Sequence, residues 1–284
     1  MQDIAIRAQE NQLEGVEILD GCEEGEVLNE EAATTFRALS ARANYLALDR
    51  PDLCFGAKEL CRDFAKPTAQ SVQRLKRLVR YLRHKPRLVW RYDQEGASNS
   101  LDIYCDTAFG GCMRTRRSTS GGVAFLGSHC IKTWSSTQSI VALSSAEAEL
   151  TGLSKGGQNG LGLKSLCKDL GLDLRLRLHT DSTAAIGVCR RRGIGRIRHL
   201  AVADLWLQDK IRTGDMSIHK VLGADNPADI MTKYVNQAVL EKGLQRMQVV
   251  TEEGRAESAA QIASMIPACL ETFHRKVNGT RWRM

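Results

Sequence analysis

The sequence predicts an α/β protein: a mixed five-stranded sheet with flanking helices, preceded by a small helical segment. Three observations carry that prediction. Over residues 100–235, short β-rich runs and helical stretches follow one another in the order β-β-β-α-β-α-α-β-α. Over residues 33–95, apolar residues recur instead at helical spacing. The 284 residues are 43% hydrophobic and 26% charged, an ordinary globular balance that suffices for one large domain or two small ones.

The elements follow in order. Residues 1–32 form an acidic leader, read as a mobile arm or a short amphipathic helix. Thr34, Thr35 or Ser40 is placed to cap a first helix running to Leu48, which the Arg50-Pro51 step ends. A second helix covers about residues 53–64. A third follows Pro67-Thr68, with Val72, Leu75, Val79 and Leu82 on one face and Arg74, Arg77, Arg80 and Lys85 on its flanks. That basic flank fits a solvated surface and a run along a phosphate backbone equally well. QEGASNS at 94–100 has linker composition.

The pattern then switches. In LDIYCD, Leu101, Ile103 and Cys105 alternate with Asp102, Tyr104 and Asp106. SGGVAFLG and HCIKTWSS, separated by Gly127-Ser128, predict a hairpin. The stretch from Ser144 opens on N-cap residues and closes at Gly171, so it predicts a long helix. Its glycines at 156, 157, 160 and 162 mean either close packing on the sheet or a weak helix, since each costs up to about 1 kcal/mol relative to alanine. LRLRLHTD predicts a strand, 182–191 and 197–212 helices, MSIHKVLG a last strand, and NPADIMTKYV a last helix with Pro227 in its first turn. Residues 236–284 form a tail with some helical pattern and no chemical motif.

Composition narrows the function. No stretch approaches 18 consecutive apolar residues, and the N-terminus lacks a basic region followed by an apolar one. The expectation is therefore a cytoplasmic or nuclear protein without a membrane partner. Nine cysteines without a CxxC pair fit neither a zinc site nor a disulfide framework, and most are expected to be small buried hydrophobes. Residues 1–31 hold ten acids and one base, a net of −9; the whole chain is +7, which leaves +16 for residues 32–284. So basic a body suggests a polyanionic partner, nucleic acid first.

Four acids fall at strand ends or helix starts of the α/β unit: Asp106, one of Glu147 and Glu149, Asp181 and Asp229. Such edges are where ligands bind in α/β sheets. Gathered carboxylates repel one another unless neutralised, and Mg²⁺ or Mn²⁺ does this with oxygen ligands alone. Two such ions about 3.5–4 Å apart serve an in-line phosphoryl displacement. Each acid also has a plain structural use, as a helix cap, a dipole complement or a turn former. The ordered set carries the metal-dependent nuclease reading.

The pieces YCDTAFGGCMRTRRSTSGGVAFLG, WSSTQSIVALSSAEAELTGL, LHTDSTAAI, RIRHLAVADLWLQDKI and NPADIMTK closely resemble the ribonuclease H region of Copia-type LTR-retrotransposon Pol polyproteins. Upstream, YLALDRPDLCFGAKELCRDFAKPT and LKRLVRYLRHKPRLVWRY look like the end of the same family's reverse transcriptase, so the resemblance spans about residues 36–235. It implies a ribonuclease H-like sheet over 100–235, a thumb or connection remnant over 33–95, and two Mg²⁺ ions (Mn²⁺ in their place) held by Asp106, Glu149, Asp181 and Asp229. Glu149 is preferred over Glu147 because Leu150-Thr151-Gly152-Leu153 follows it; Glu147 would then point away on the helix surface. The implied reaction cleaves the RNA strand of an RNA–DNA hybrid to a 3′-hydroxyl and a 5′-phosphate. Backbone near Thr107 and polar groups near Ser182 are candidates to sense the 2′-hydroxyl.

Basic clusters at Arg114, Arg116 and Arg117, and at Arg190, Arg191, Arg192, Arg196 and Arg198, suit phosphate contacts without base reading. His199 fits a substrate contact or a packing role equally well. His219 lies in an alternating run and is expected to be a strand residue, and Trp134 and Trp206 to be core. Two departures stand out. Ala108 replaces an aspartate usual in the family, and no YxDD polymerase signature occurs, which implies palm and fingers on a longer polyprotein. The competing reading is a catalytically inactive nucleic-acid-binding relic of such a polyprotein.

Overall fold

The computed structural model describes residues 27–94, 96, 98–193 and 202–253. Its N-terminal part is three helices: α1 (Glu30–Leu46), α2 (Cys54–Cys61) and α3 (Ala69–His84). The cap of α1 is Asn29, whose side chain accepts the Ala32 N–H, rather than Thr34, Thr35 or Ser40. The helix therefore starts earlier than the apolar pattern suggests, and its Ser40 is buried inside it. Thr68 caps α3 reciprocally with Ser71. Phe36, Leu60, Val72 and Leu75 close a small core between the three helices.

Strand β1 (Arg87–Trp90) leads to the main sheet: β2 (Ser100–Ala108), β3 (Thr119–Leu126), β4 (His129–Thr137), β5 (Arg175–Thr180) and β6 (Ser217–Lys220). Its order is β4-β3-β2-β5-β6. The pairs β2–β3 and β3–β4 are antiparallel, whereas β2–β5 and β5–β6 are parallel. Helix α4 (Ser145–Asp169) connects β4 to β5; α5 (Thr183–Arg190) and α6 (Val202–Arg212) connect β5 to β6. This is the mixed, helix-flanked five-stranded sheet that the sequence predicts. Gly127 turns the β3–β4 hairpin at φ 64°, a conformation only glycine adopts freely.

Alternation along β2 divides the molecule. Leu101, Ile103 and Cys105 enter a core with Leu150 and Leu153 of α4, Leu176 and Leu178 of β5, and the helices α5 and α6. Trp134 is part of this core and Trp206 packs against it, as expected. The glycines of α4 are a packing requirement. A Cβ at Gly152 would strike Thr107 Oγ1, one at Gly156 would strike Cys105 Sγ, and one at Gly160 would lie 2.7 Å from Leu176 Cδ1. Spaced four residues apart, these three form one stripe that lets the helix lie directly on β2 and β5. Gly162 faces open space.

The opposite face of β3 is covered by residues 223–252. After β6 come two short 3-10 turns, Gly223–Asp225 and Pro227–Met231, then α7 (Gln237–Arg246) and β7 (Val249–Glu252). Met231, Leu244, Met247 and Val249 pack with Val123 and Phe125 into a second core. Strand β7 pairs antiparallel with β1, so residues 236–252 belong to the packed structure. Four of the seven described cysteines are buried, and none of the seven is in a disulfide.

Candidate active site

Each acid is delivered by a different element. Asp106 lies near the C-terminal end of β2, Glu149 in the second turn of α4, Asp181 directly after β5, and Asp229 in the turn Pro227–Met231. That last segment is a 3-10 turn capped by Asn226 rather than the α-helix its pattern suggests: the Asp229 N–H bonds to the Asn226 carbonyl and the Thr232 N–H to the Asp229 carbonyl, each three residues back. One carboxylate oxygen from each of Asp106, Glu149 and Asp181 lies within 4.8 Å of the other two. Asp229 is adjacent to this trio rather than in it. Its Oδ1 pairs with Lys233 Nζ at 2.6 Å, and its charge still acts on Asp106.

The electrostatics follow from that crowding. Burial, then the charges of Asp106 and Asp181, push the Glu149 carboxyl up to about 8, against one hydrogen bond from the Thr107 backbone. Glu149 Oε2 is buried without a hydrogen-bond partner. Burial and the charges of Asp229 and Asp181 likewise raise Asp106, opposed by the Thr232 hydroxyl and the Lys233 charge. Lys233 is held above its ordinary value: burial works against its charge, and Asp229, Asp106 and Asp181 outweigh it.

Glu147 has a different use. Its backbone N–H is taken by the N-cap hydroxyl of Ser144, and its Oε2 accepts the Leu143 N–H at 2.6 Å. It turns away from the trio, though it is buried and not on the helix surface. The two positions singled out for sensing a 2′-hydroxyl are already engaged: the Thr107 N–H by Glu149, and Ser182 Oγ by the Ala185 N–H.

The basic residues spread over the surface. Arg116 and Arg117 are exposed on the turn after β2, whereas Arg114 pairs with the buried Asp63 at 3.4 Å and so ties that turn to the helical segment. Arg190 and Arg192 are exposed at the end of α5, with Arg191 half-buried beside them. Arg190 donates to the Ile218 carbonyl at 3.3 Å. Arg196, Arg198 and His199 lie outside the described residues, as do 1–26 and 254–284. His219 is in β6, as its alternation predicts.

Sequence reasoning missed three groups around the acids. Thr232, buried, donates to Asp106 Oδ2 at 2.6 Å. Asn226 donates to the Cys105 carbonyl at 2.8 Å and so staples the Asp229 segment to β2. Gln138 links Ser120 Oγ to the Ala148 carbonyl at the base of α4. The first two frame the NPADIMTK block, whose polar residues at both ends were the available signal.

Fold and site together define an α/β domain, a mixed five-stranded sheet with flanking helices, whose clustered carboxylates are able to bind a metal ion. No family model matches the chain. It is 28% identical over 211 residues to the retrovirus-related Pol polyprotein from transposon RE1 of Arabidopsis thaliana, covering 73% of this chain and 14% of that one. To the Pol polyprotein from transposon RE2 of the same plant it is 27% identical over 220 residues, 76% and 15% of the two chains. The chain is a homologue of the Copia-type retrovirus-related Pol polyproteins, and it spans about one seventh of the length of these relatives. Among solved structures, ribonuclease H1 of Halobacterium salinarum aligns with 51% of this chain and 98% of its own at 19% identity, with a TM-score of 0.35. No described helix is long and apolar enough to cross a membrane.

Proposed function

We propose that this chain is the ribonuclease H segment of a Copia-type Pol polyprotein and hydrolyses the RNA strand of RNA–DNA hybrids with two divalent ions. The observation that carries the reading is the meeting of Asp106, Glu149 and Asp181 within 4.8 Å. The residues fit a hard cation: three carboxylates from three elements, one buried oxygen without a partner, and mutual repulsion that a divalent charge relieves. Asp106, Glu149 and Asp181 would hold Mg²⁺, or Mn²⁺ in its place, with Asp229 as fourth ligand. When bound, such ions activate water and stabilise the leaving oxygen of an in-line displacement.

The chain's own groups prepare that chemistry. Asp106 and Asp181 present oxygens from neighbouring parallel strand ends, Glu149 reaches in from α4, and Thr107 N–H fixes its carboxylate. Until a cation arrives, Glu149 holds a proton near neutral pH. Asp229, paired with Lys233, is the most loosely committed acid and suits product release. Arg116, Arg117, Arg190, Arg191 and Arg192, with Arg114 in part, contact phosphates of the hybrid. In the same reading, residues 33–95 are a remnant of the reverse transcriptase thumb or connection, 100–235 the nuclease unit, and polymerase palm and fingers lie elsewhere on a longer polyprotein.

The test is direct. With Mg²⁺, purified protein should cut a labelled RNA–DNA hybrid, spare duplex DNA and lose activity in EDTA. Hybrid bound but never cut would instead make the chain a silent nucleic-acid-binding relic.

A further inference from the structure

Thr232 has a position that its type alone does not explain. It is 1% exposed, on the last bend of the segment Asn226–Thr232, and its Oγ1 lies 2.6 Å from Asp106 Oδ2 and 2.9 Å from the Asp229 carbonyl. A hydroxyl has one proton, and the shorter contact to a charged acceptor is the stronger place for it. One oxygen of Asp106 is therefore held from the side remote from α4.

The fold makes a specific accommodation for this contact. Gly121 is the β3 partner of Asp106, and a Cβ there would stand 2.6 Å from Met231 Cβ and 2.7 Å from Thr232 Cγ2. Only a bare backbone lets the segment come close enough. At the segment's other end, Asn226 donates to the Cys105 carbonyl, so the approach is fixed at both ends, once through backbone and once through the acid itself.

We propose that Thr232 is a positioning residue: its hydroxyl fixes the Asp106 carboxylate in one rotamer, with the free oxygen turned toward Glu149 and Asp181 for a divalent cation. The inference rests on the metal-site reading above. Groups of this kind that orient a ligating side chain change metal affinity by about 10- to 100-fold when removed.

Mn²⁺ binding to the full chain, followed by electron paramagnetic resonance without nucleic acid, reads the effect directly. Thr232→Val keeps the shape and removes the hydroxyl, so it should weaken Mn²⁺ binding by about 10-fold or more. Thr232→Ser should restore it to within about threefold, a smaller deficit than any removed orienting group leaves. Should Thr232→Val not fold by circular dichroism, Thr232→Ala against Thr232→Ser gives the same contrast. Equal affinity with and without the hydroxyl overturns the inference and leaves the metal site standing. Wild type binding no more Mn²⁺ than Asp106→Asn removes the metal site itself, and this inference with it.

Discussion

Strand β2 carries two buried aspartates on the same face, four residues apart, and the protein treats them in opposite ways. Asp102 is matched: Arg177 donates to both its oxygens at 2.7 Å, His179 Nε2 lies 2.6 Å away, and Ser100 Oγ donates at 3.0 Å. Burial alone would raise its pKa, but the bonds from His179, Arg177 and Ser100 bring it down to about 2. Asp106 has one hydroxyl, the carboxylates of Glu149, Asp181 and Asp229, and the opposing charge of Lys233 for company, and its pKa is raised. A buried charge that serves stability is surrounded by its opposites. A carboxylate left among other carboxylates marks a candidate functional site.

The contrast gives opposite expectations for the same chemical change. Asp106→Asn should lower hybrid cleavage by at least about 100-fold, as loss of a single transition-state contact does, while its melting temperature stays level or rises. Asp102→Asn should do the reverse, costing about 1–3 kcal/mol in urea unfolding with cleavage retained. If both variants lost stability alike, the trio would be an ordinary buried network and the distinction would fail.

Glu149, beside Asp106, and the matched Asp102 set opposite pH responses. The folded-state pKa of Glu149, about 8 against an ordinary 4.5, means the unfolded chain ionises first. In EDTA the melting temperature should therefore fall as pH rises from 4.5 to about 8 and then level off, and Glu149→Gln should reduce the slope. Asp102 contributes stability that is complete above 3.8 and is lost as pH falls through about 2. A flat profile from 4.5 to 8 without metal would contradict the crowding described for the trio.

Smaller effects test how far the rim depends on close packing. Gly152→Ala would press on Thr107, whose N–H holds Glu149, and should cost about 1–3 kcal/mol together with some activity. Gly162→Ala meets nothing and should instead gain up to about 1 kcal/mol of helix propensity. Thermal unfolding of the pair separates required glycines from tolerated ones.

Much of this arrangement is legible in the sequence, where signals are local. The period-two alternation of β2, the Gly127-Ser128 turn and the Ser144 cap each specify their element within a few residues. The acids are recognisable as an ordered set because strand ends and helix starts bracket them. What escapes is non-local. The pairing of Asp102 with Arg177 and His179 needs the parallel register of β2 and β5, which no residue pattern gives. Thr232 reads as an ordinary hydroxyl until Gly121 is seen to admit it. Gly152, beside Thr107, is easily passed over because its spacing to 156 and 160 matters only once the helix lies on the sheet. Strands β1 and β7 are four residues each, too short for periodicity to mark.

That last pair has a consequence for synthesis. Trp90 meets Val249 across about 160 residues, so the two-stranded ribbon joins segments made at widely separated times. While translation proceeds, Leu88 and Trp90 have no strand beside them, and the apolar patch they share with Val123 and Phe125 stays open to water. A nascent chain can close this side of the molecule only after Glu252 has been added, however early the acid-bearing strands have folded.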